Sequence, residues 1–333
     1  MIGQTAALGI AGLATMPLAR HAMAAQNATP AASPAGGGTR TVTAVNGEIA
    51  LTGTPSRVIA MEYELCENLA ILGVTPIGVT ERDSVPQWIQ IPPYPAAVAD
   101  LGTRDEPDLE AIAALQPDLI LAASPRQDAV LDKLEAIGPV VQLATYSPRS
   151  TPQGQTPIEN FQQILTDVAL ATNTEAAARE AITAFDALLE QGNAAIAASA
   201  FAGRSFLFGA FNDQTASNLF NDHSRIAFTI SQLGLTNLAP ENTETPGLHF
   251  TPTAVEQLGT FPEDTLFFTS QSPANASEIT PLFESGIWKA IPFVAAGNFH
   301  NLGQPNIWTA GSAITLSDLI RRLVKEVTGT DLA

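Results

Sequence analysis

The chain of 333 residues has a single cysteine, Cys66. One thiol excludes an intrachain disulfide and any zinc site built on paired cysteines. Cys66 stands among Tyr63, Leu65, Leu69 and Leu72, the setting of a small buried hydrophobe. Basic residues are scarce: 15 Lys and Arg against 33 Asp and Glu give a net charge of −18, with no Lys/Arg cluster. Nucleic acid and anionic bilayers are repelled by such a surface, so no nucleic-acid partner is expected and basic partners are favoured. The four histidines, His21, His223, His249 and His300, show no metal-ligand spacing, so no metal is expected to be held directly by the protein. Also missing are a Gly-x-Ser-x-Gly elbow, a phosphate-binding Gly-x-x-x-x-Gly-Lys loop and a His-Glu-x-x-His pair. Carboxylates are plentiful, but no spacing singles out a catalytic pair. No apolar run is long enough for a stable membrane span.

The start of the chain reads as targeting rather than fold. Residues 6–18 are small and apolar, Ala22-Met23-Ala24 is a small-x-small cleavage pattern, and residues 29–38 are rich in Ala, Pro, Ser and Gly. Residues 1–24 are therefore expected to be a secretory signal and 25–39 a flexible linker. Nothing basic precedes Arg20, so the run resembles the end of a twin-arginine leader without its Arg pair. The expected location is outside the cytoplasm, in the periplasm or on the envelope exterior. With no Cys near the cleavage point, a lipid anchor on cysteine is not expected.

The remaining sequence states one plan twice. Arg57-Val58-Ile59-Ala60-Met61 reads as a buried strand, followed by a helix ending in Leu72-Gly73-Val74-Thr75, then residues 109–118 leading into the apolar run 119–122. Arg204-Ser205-Phe206-Leu207-Phe208, Leu233-Gly234-Leu235-Thr236, and residues 255–264 leading into 265–268 repeat the order. Two copies of a βα plan predict two lobes with a ligand cleft between them. Asn46-Gly47 predicts a type I′ hairpin. Strands are expected at 58–61, 77–80, 119–122 and 140–143, with helices at 65–72, 109–115 and 129–137. Between the halves the alternation stops: Ile158, Phe161, Ile164, Leu165 and Val168 have helical spacing, and a second helix runs from 174 to about 198. At about 36 Å it is long enough to bridge two lobes. The expected organisation is an N-terminal α/β lobe at 40–157, a helical segment with the inter-lobe helix at 158–200, and a C-terminal α/β lobe at 201–333. One stiff connecting helix predicts little hinge closure.

Specific segments carry a family resemblance. Leu72-Gly73-Val74-Thr75-Pro76-Ile77-Gly78-Val79, Leu101-Gly102-Thr103-Arg104-Asp105-Glu106-Pro107-Asp108-Leu109-Glu110, Leu115-Gln116-Pro117-Asp118-Leu119-Ile120-Leu121 and the Trp288 to Gly297 stretch together resemble the helix-linked substrate-binding proteins of ABC importers. That class delivers iron–siderophores, haem and cobalamin. The resemblance implies an α/β fold of two Rossmann-like lobes with mostly parallel sheets joined by one long helix (class III substrate-binding protein). Glu62-Tyr63 after the first strand, Trp88 in a Pro-rich loop and Trp308 ahead of Gly311 are similar to the ferric-hydroxamate binders. Ala123-Ser124-Pro125-Arg126 and His249-Phe250 depart from that subgroup, which has a Tyr and a Trp there.

The resemblance implies a binding protein, not an enzyme. It would be a monomer with no covalent cofactor, capturing an Fe(III)–siderophore complex and delivering it to an ABC permease dimer. Arg104 is the candidate donor to hydroxamate oxygens; the alternative is a surface Arg paired with Asp105 or Glu106. Trp88, Phe250 and Trp308 are candidate aromatic contacts, each of which could instead be core; Trp88 is expected to stand exposed in its loop. Tyr63 and Arg126 are further candidates, and Arg126 would suit an anionic chelate such as ferric citrate or a catecholate. Glu110 and Glu256 occupy equivalent places in the two repeats and are the candidates for permease docking; the alternative is two solvated helix glutamates. Another large chelate (haem, cobalamin, ferric citrate) and an enzyme on the same two-lobe plan remain as alternatives.

Overall fold

The computed structural model describes residues 38–145, 154–211, 213–244, 248–271, 276–303 and 311–332. The fold begins with a hairpin of β1 (Thr39–Ala44) and β2 (Gly47–Thr52), paired antiparallel with Ala44 opposite Gly47. Its tip is Val45–Asn46, one residue earlier than expected. A type I′ turn needs positive φ at both central residues, whereas here Gly47 alone adopts it, at φ 113°.

Five strands form the N-terminal sheet: β3 (Val58–Ala60), β4 (Gly78–Val79), β5 (Ala99–Asp100), β6 (Leu119–Ser124) and β7 (Val140–Ala144). All pairs are parallel, in the order β5-β4-β3-β6-β7. Helices α1 (Tyr63–Ile71), α2 (Val85–Trp88), α3 (Leu109–Ala114) and α4 (Leu131–Glu135) connect them. Every residue of β3 and β6 is buried, as a sheet covered on both faces requires. The chain runs outward from β3 to β4 and β5, then returns to the other side of β3 for β6 and β7. The boundary between β3 and β6 is thus a topological switch point, and the crevice outside the carboxyl ends of such strands is where α/β sheets bind ligands.

Two helices follow. α5 (Pro157–Thr172) opens on a capping box between Thr156 and Glu159, and Arg40 of the hairpin donates to the carbonyls of Leu170 and Ala171 at its end. α6 (Glu175–Ala197) has 23 residues, about 35 Å at the α-helical rise. Its Phe185 meets Phe161 of α5 edge-on at 4.9 Å.

The C-terminal sheet is built from β8 (Ser205–Phe211), β9 (Ala216–Phe220), β10 (Thr236–Asn237), β11 (Phe250–Ala254), β12 (Leu266–Thr269) and β13 (Phe299–Asn301). β8 pairs parallel with β10 and β12, and β12 with β13, while β9 runs antiparallel to both β8 and β11. This antiparallel pair was not foreseen; β11 carries Pro252 and lies at the sheet edge, where proline costs no ladder bond. α7 (Arg225–Gln232), α8 (Ala276–Glu284), α9 (Gly286–Lys289), α10 (Pro292–Ala295) and α11 (Ala313–Thr328) complete the lobe, with a 3₁₀ turn at Val255–Thr260. Phenylalanines dominate its core; Phe267 stacks on Phe293 at 5.2 Å. α6 packs against α11 across Gly192, where a Cβ would lie 2.8 Å from Leu233 and 2.9 Å from Ile320. The molecule is thus two Rossmann-like α/β lobes joined by one long helix. Cys66 is buried in the N-terminal core, and burial pushes its thiol up to about 12. Among the described residues no helix is long and apolar enough to cross a membrane.

The lobes are tied by two buried polar bridges, both from α1. Arg225 at the start of α7 donates to Glu64 at 2.6 Å and to Asn160 of α5 at 2.6 Å. One turn further along α1, Glu67 accepts from the hydroxyls of Ser312 and of Thr315 (2.7 and 2.9 Å) at the start of α11. Glu64 and Glu67 lie three residues apart and so share one helix face. Burial raises both carboxyls above their usual value, against the opposing pull of Arg225 on Glu64 and of the two hydroxyls on Glu67, which reaches about 7.

A group whose folded pKa is raised favours folding fully below its unfolded pKa, and that contribution is lost as pH rises through the folded value. For Glu67 the window runs from about 4.5 to past 7. Wild type should therefore lose thermal stability relative to Glu67→Gln as pH rises from 5 to 8, because the amide stays neutral throughout. Melting curves of both proteins across that range test this; a difference in Tm that does not change with pH would refute it.

Candidate functional site

Four of the parallel strands deliver a charged residue to the carboxyl edge of the N-terminal sheet. Glu62 and Tyr63 follow β3, Glu81 follows β4, Arg104 and Asp105 follow β5, and Arg126 follows β6. Glu62 is the N-cap of α1 and accepts from the Tyr63 backbone N–H at 2.7 Å. It is fully buried between two guanidiniums: its Oε1 lies 2.9 Å from Arg104 Nη1 and its Oε2 2.9 Å from Arg126 Nε. Arg126 Nη1 also reaches Asp105 at 2.7 Å.

Arg104 is fixed from several directions. Its Nε and backbone N–H each donate to Glu81 at 3.2 Å. Its guanidinium lies 3.8 Å over the centre of the Tyr63 ring, a cation–π contact. The Tyr63 hydroxyl donates to Glu81 Oε2 at 2.5 Å. Gln127, fully buried, donates to the Arg104 carbonyl at 2.8 Å and accepts from the Ala123 N–H at 2.7 Å. That amide ties the loop after β5 to the one after β6.

The protonation pattern follows from these contacts. Burial pushes the Glu81 carboxyl up, but hydrogen bonds from Tyr63 and Arg104, with the Arg104 charge, outweigh it and hold the carboxyl below its usual value. Burial, then the hydrogen bond to Glu81, pushes the Tyr63 phenol up, so it stays a donor at neutral pH. From the other lobe, His249 lies stacked on Phe220 at 5.9 Å and edge-on to Phe250 at 5.0 Å. Burial and the Arg225 charge depress this histidine to about 4, so it is neutral. The N-terminal lobe therefore gathers charge and directed N–H groups, while the C-terminal lobe packs His249 among aromatic rings.

Of the residues singled out from the sequence, Arg104, Tyr63 and Arg126 come together. Arg104 is not a surface residue paired with Asp105 or Glu106; its carboxylate partners are Glu62 and Glu81. Trp88 does not stand exposed: Pro86 sits in the first turn of α2, and that turn lays Trp88 half-buried against the N-terminal core. Phe250 is half-buried at the start of β11 and packs against Phe220. Trp308 lies outside the described residues. Glu110 and Glu256 are exposed, each two residues after the N-cap of its helical turn. Sequence reasoning missed Glu81, Asp105 and Gln127 as members of the site. Glu81 adopts a left-handed backbone conformation at φ 52°, and nothing local in Val79-Thr80-Glu81-Arg82 signals it.

Residues 57–305 match the family described as periplasmic binding protein. The chain belongs to that family. It is 24% identical over 280 residues to the iron(3+)-hydroxamate-binding protein FhuD of Escherichia coli, covering 83% of this chain and 88% of the relative. It is 31% identical over 134 residues to the Fe(3+)-citrate-binding protein YfmC of Bacillus subtilis, covering 40% of each chain. The crystal structure of the Fe3+–Desferal-bound siderophore binding protein FhuD of Vibrio cholerae superposes with a TM-score of 0.72 at 28% identity, covering 83% of this chain and 99% of that one. In this periplasmic binding protein, the buried pair of Glu62 and Arg104 holds the carboxyl edge together. Removing one partner of a buried ion pair leaves a charge without compensation, typically at ~3–5 kcal/mol. Because Arg126 remains beside Glu62, Arg104→Met should cost the lower end of that range, about 3 kcal/mol. Adding Glu62→Gln should recover part of it. Urea unfolding of Arg104→Met, Glu62→Gln and the double variant measures both; a double loss equal to the sum of the two single losses would show the pair is not coupled.

Proposed function

We propose that this periplasmic binding protein captures an intact ferric siderophore, of hydroxamate type, between its lobes and hands it to an ABC permease. The observation that carries the reading is the Arg104 guanidinium, stacked on Tyr63 at a topological switch point. A ferric hydroxamate displays oxygens that accept hydrogen bonds and arms that are apolar, so it calls for an oriented guanidinium beside aromatic surface. Iron enters as cargo inside its chelate; no covalent chemistry by the protein is part of the reading. The hydroxamate relatives in E. coli and V. cholerae support it. The partial likeness to a ferric-citrate binder favours a second reading, in which the chelate is ferric citrate.

The remaining parts of the reading concern export and delivery. Residues 1–24 act as an export signal and 25–39 as a tether, and the mature protein works as a monomer outside the cytoplasm. Arg104, Tyr63 and Arg126 contact the chelate, with Trp88, Phe250 and Trp308 as aromatic contacts. Glu110 and Glu256, exposed at equivalent places in the two repeats, dock the protein on a two-fold permease, where paired carboxylates match paired basic residues.

Titration with ferric hydroxamates should quench tryptophan fluorescence saturably at one chelate per protein, with the chelate recovered unchanged. Absence of saturable quenching by any hydroxamate complex would sink the reading. Charge reversal of Glu110 and Glu256 together should abolish uptake by cells while leaving chelate affinity unchanged; lost affinity would refute the docking role.

A further inference from the structure

With the cargo taken as an iron chelate, as proposed above, we propose that Glu81 sets its charge class: the site takes neutral or cationic ferric hydroxamates and turns away anionic iron complexes. Three carboxylates, Glu62, Glu81 and Asp105, face two guanidiniums, Arg104 and Arg126, through contacts of 2.7 to 3.2 Å. Among the described residues this set carries one negative charge in excess. A ligand oxygen that reaches Arg104 must share a guanidinium already committed to Glu62 and Glu81. In a ferric trihydroxamate the three hydroxamates cancel the charge of the iron, so its oxygens can accept a hydrogen bond from Arg104 without displacing a carboxylate. A citrate or catecholate complex keeps net negative charge and meets Glu81 and the excess carboxylate at short range. The protein's net charge of −18 adds a field of the same sign at longer range.

Glu81 is the accessible carboxylate that lies on Arg104 itself; Asp105 is more exposed but pairs with Arg126. Glu62 is sealed in the interior, whereas the Glu81 side chain is 22% exposed and lies on Arg104 Nε. Its backbone sits at φ 52°, held by its N–H bond to the Gly102 carbonyl at 2.8 Å. Glycine or asparagine adopts that conformation with less strain than glutamate. A glutamate held there brings its carboxylate to both Tyr63 and Arg104. If Glu81 served only to orient Arg104, its loss would weaken every ligand alike. As a charge filter it changes the ratio between ligands.

The test uses three probes: the ferric complex of desferrioxamine B, a cation through its pendant ammonium; the ferric complex of its N-acetyl derivative, which is neutral; and ferric citrate, an anion. Wild type should bind the cation at least as tightly as the neutral complex, and both more tightly than ferric citrate. Glu81→Gln keeps an acceptor for the Tyr63 hydroxyl but removes the charge. It should shift the ratio of citrate to cation affinity by at least about tenfold toward citrate, ~1.4 kcal/mol. An unchanged ratio, with all three affinities moving together, would overturn the charge filter and leave the chelate reading standing. Failure of wild type to bind any of the three would overturn both. Should Glu81→Gln not fold, Glu81→Ala decides by the same ratio of citrate to cation affinity, read against the neutral complex. Ferric citrate binding more tightly than the cation would also refute the proposal.

Discussion

A buried carboxylate organises this molecule. Glu62 lies at the start of α1, out of reach of water, between Arg104 and Arg126. Taking a carboxylate out of water costs several kcal/mol unless charge and hydrogen bonds compensate it. Here two guanidiniums and the N-terminus of a helix do so. The same helix runs on to Glu64 and Glu67, which bind Arg225, Ser312 and Thr315 of the other lobe. Within six residues, α1 anchors the candidate site at its N-cap and carries the inter-lobe bridges on the turns that follow. A force on Arg104 or Tyr63 is therefore passed to an element whose far side is bonded to the C-terminal lobe. Opening the lobes would strip Glu64 and Glu67 of their partners, which argues for a small range of motion.

The duplicated plan repeats backbone more faithfully than chemistry. In the N-terminal half the carboxyl edge carries three acids and two arginines. In the C-terminal half β8 leads into an antiparallel hairpin with β9, and His249 lies within reach of the Arg225 charge, packed on Phe220 and Phe250. At the candidate site the positive charge sits on Arg104 and Arg126, each matched by carboxylates.

Much of the architecture was legible because it depends on local pattern. Apolar runs at 58–60 and 119–122 gave β3 and β6, and helical spacing with a Thr174–Glu175 start gave α6 to within a residue. Elements that exist through pairing alone were not legible: β5 has two residues, and β9 and β11 mix Ser, Asn, Thr and Pro. The site divides the same way. Arg104, Tyr63 and Arg126 could be picked out by resemblance, but Glu81 meets Tyr63 across 18 residues and Arg104 across 23. Glu64 and Glu67 read as an ordinary polar helix face; only the approach of α7 and α11 makes them interior. Trp88 misled because prolines around it suggest an exposed loop, while Pro86 in fact starts a helical turn.

The way Arg104 is held bears on how binding can be strong without large closure. A lysine or an unrestrained arginine would have to give up rotamer freedom as the ligand arrived. Here Tyr63, Glu62, Glu81 and, through the backbone, Gln127 fix the guanidinium beforehand. Preorganisation removes that cost from the binding step. The cost is met in folding instead, where the buried charges of Glu62 and its partners must be assembled together. A site arranged this way gains little from wrapping around its cargo. Two lobes locked by α1 and spanned by one stiff helix are then a sufficient scaffold for the proposed capture.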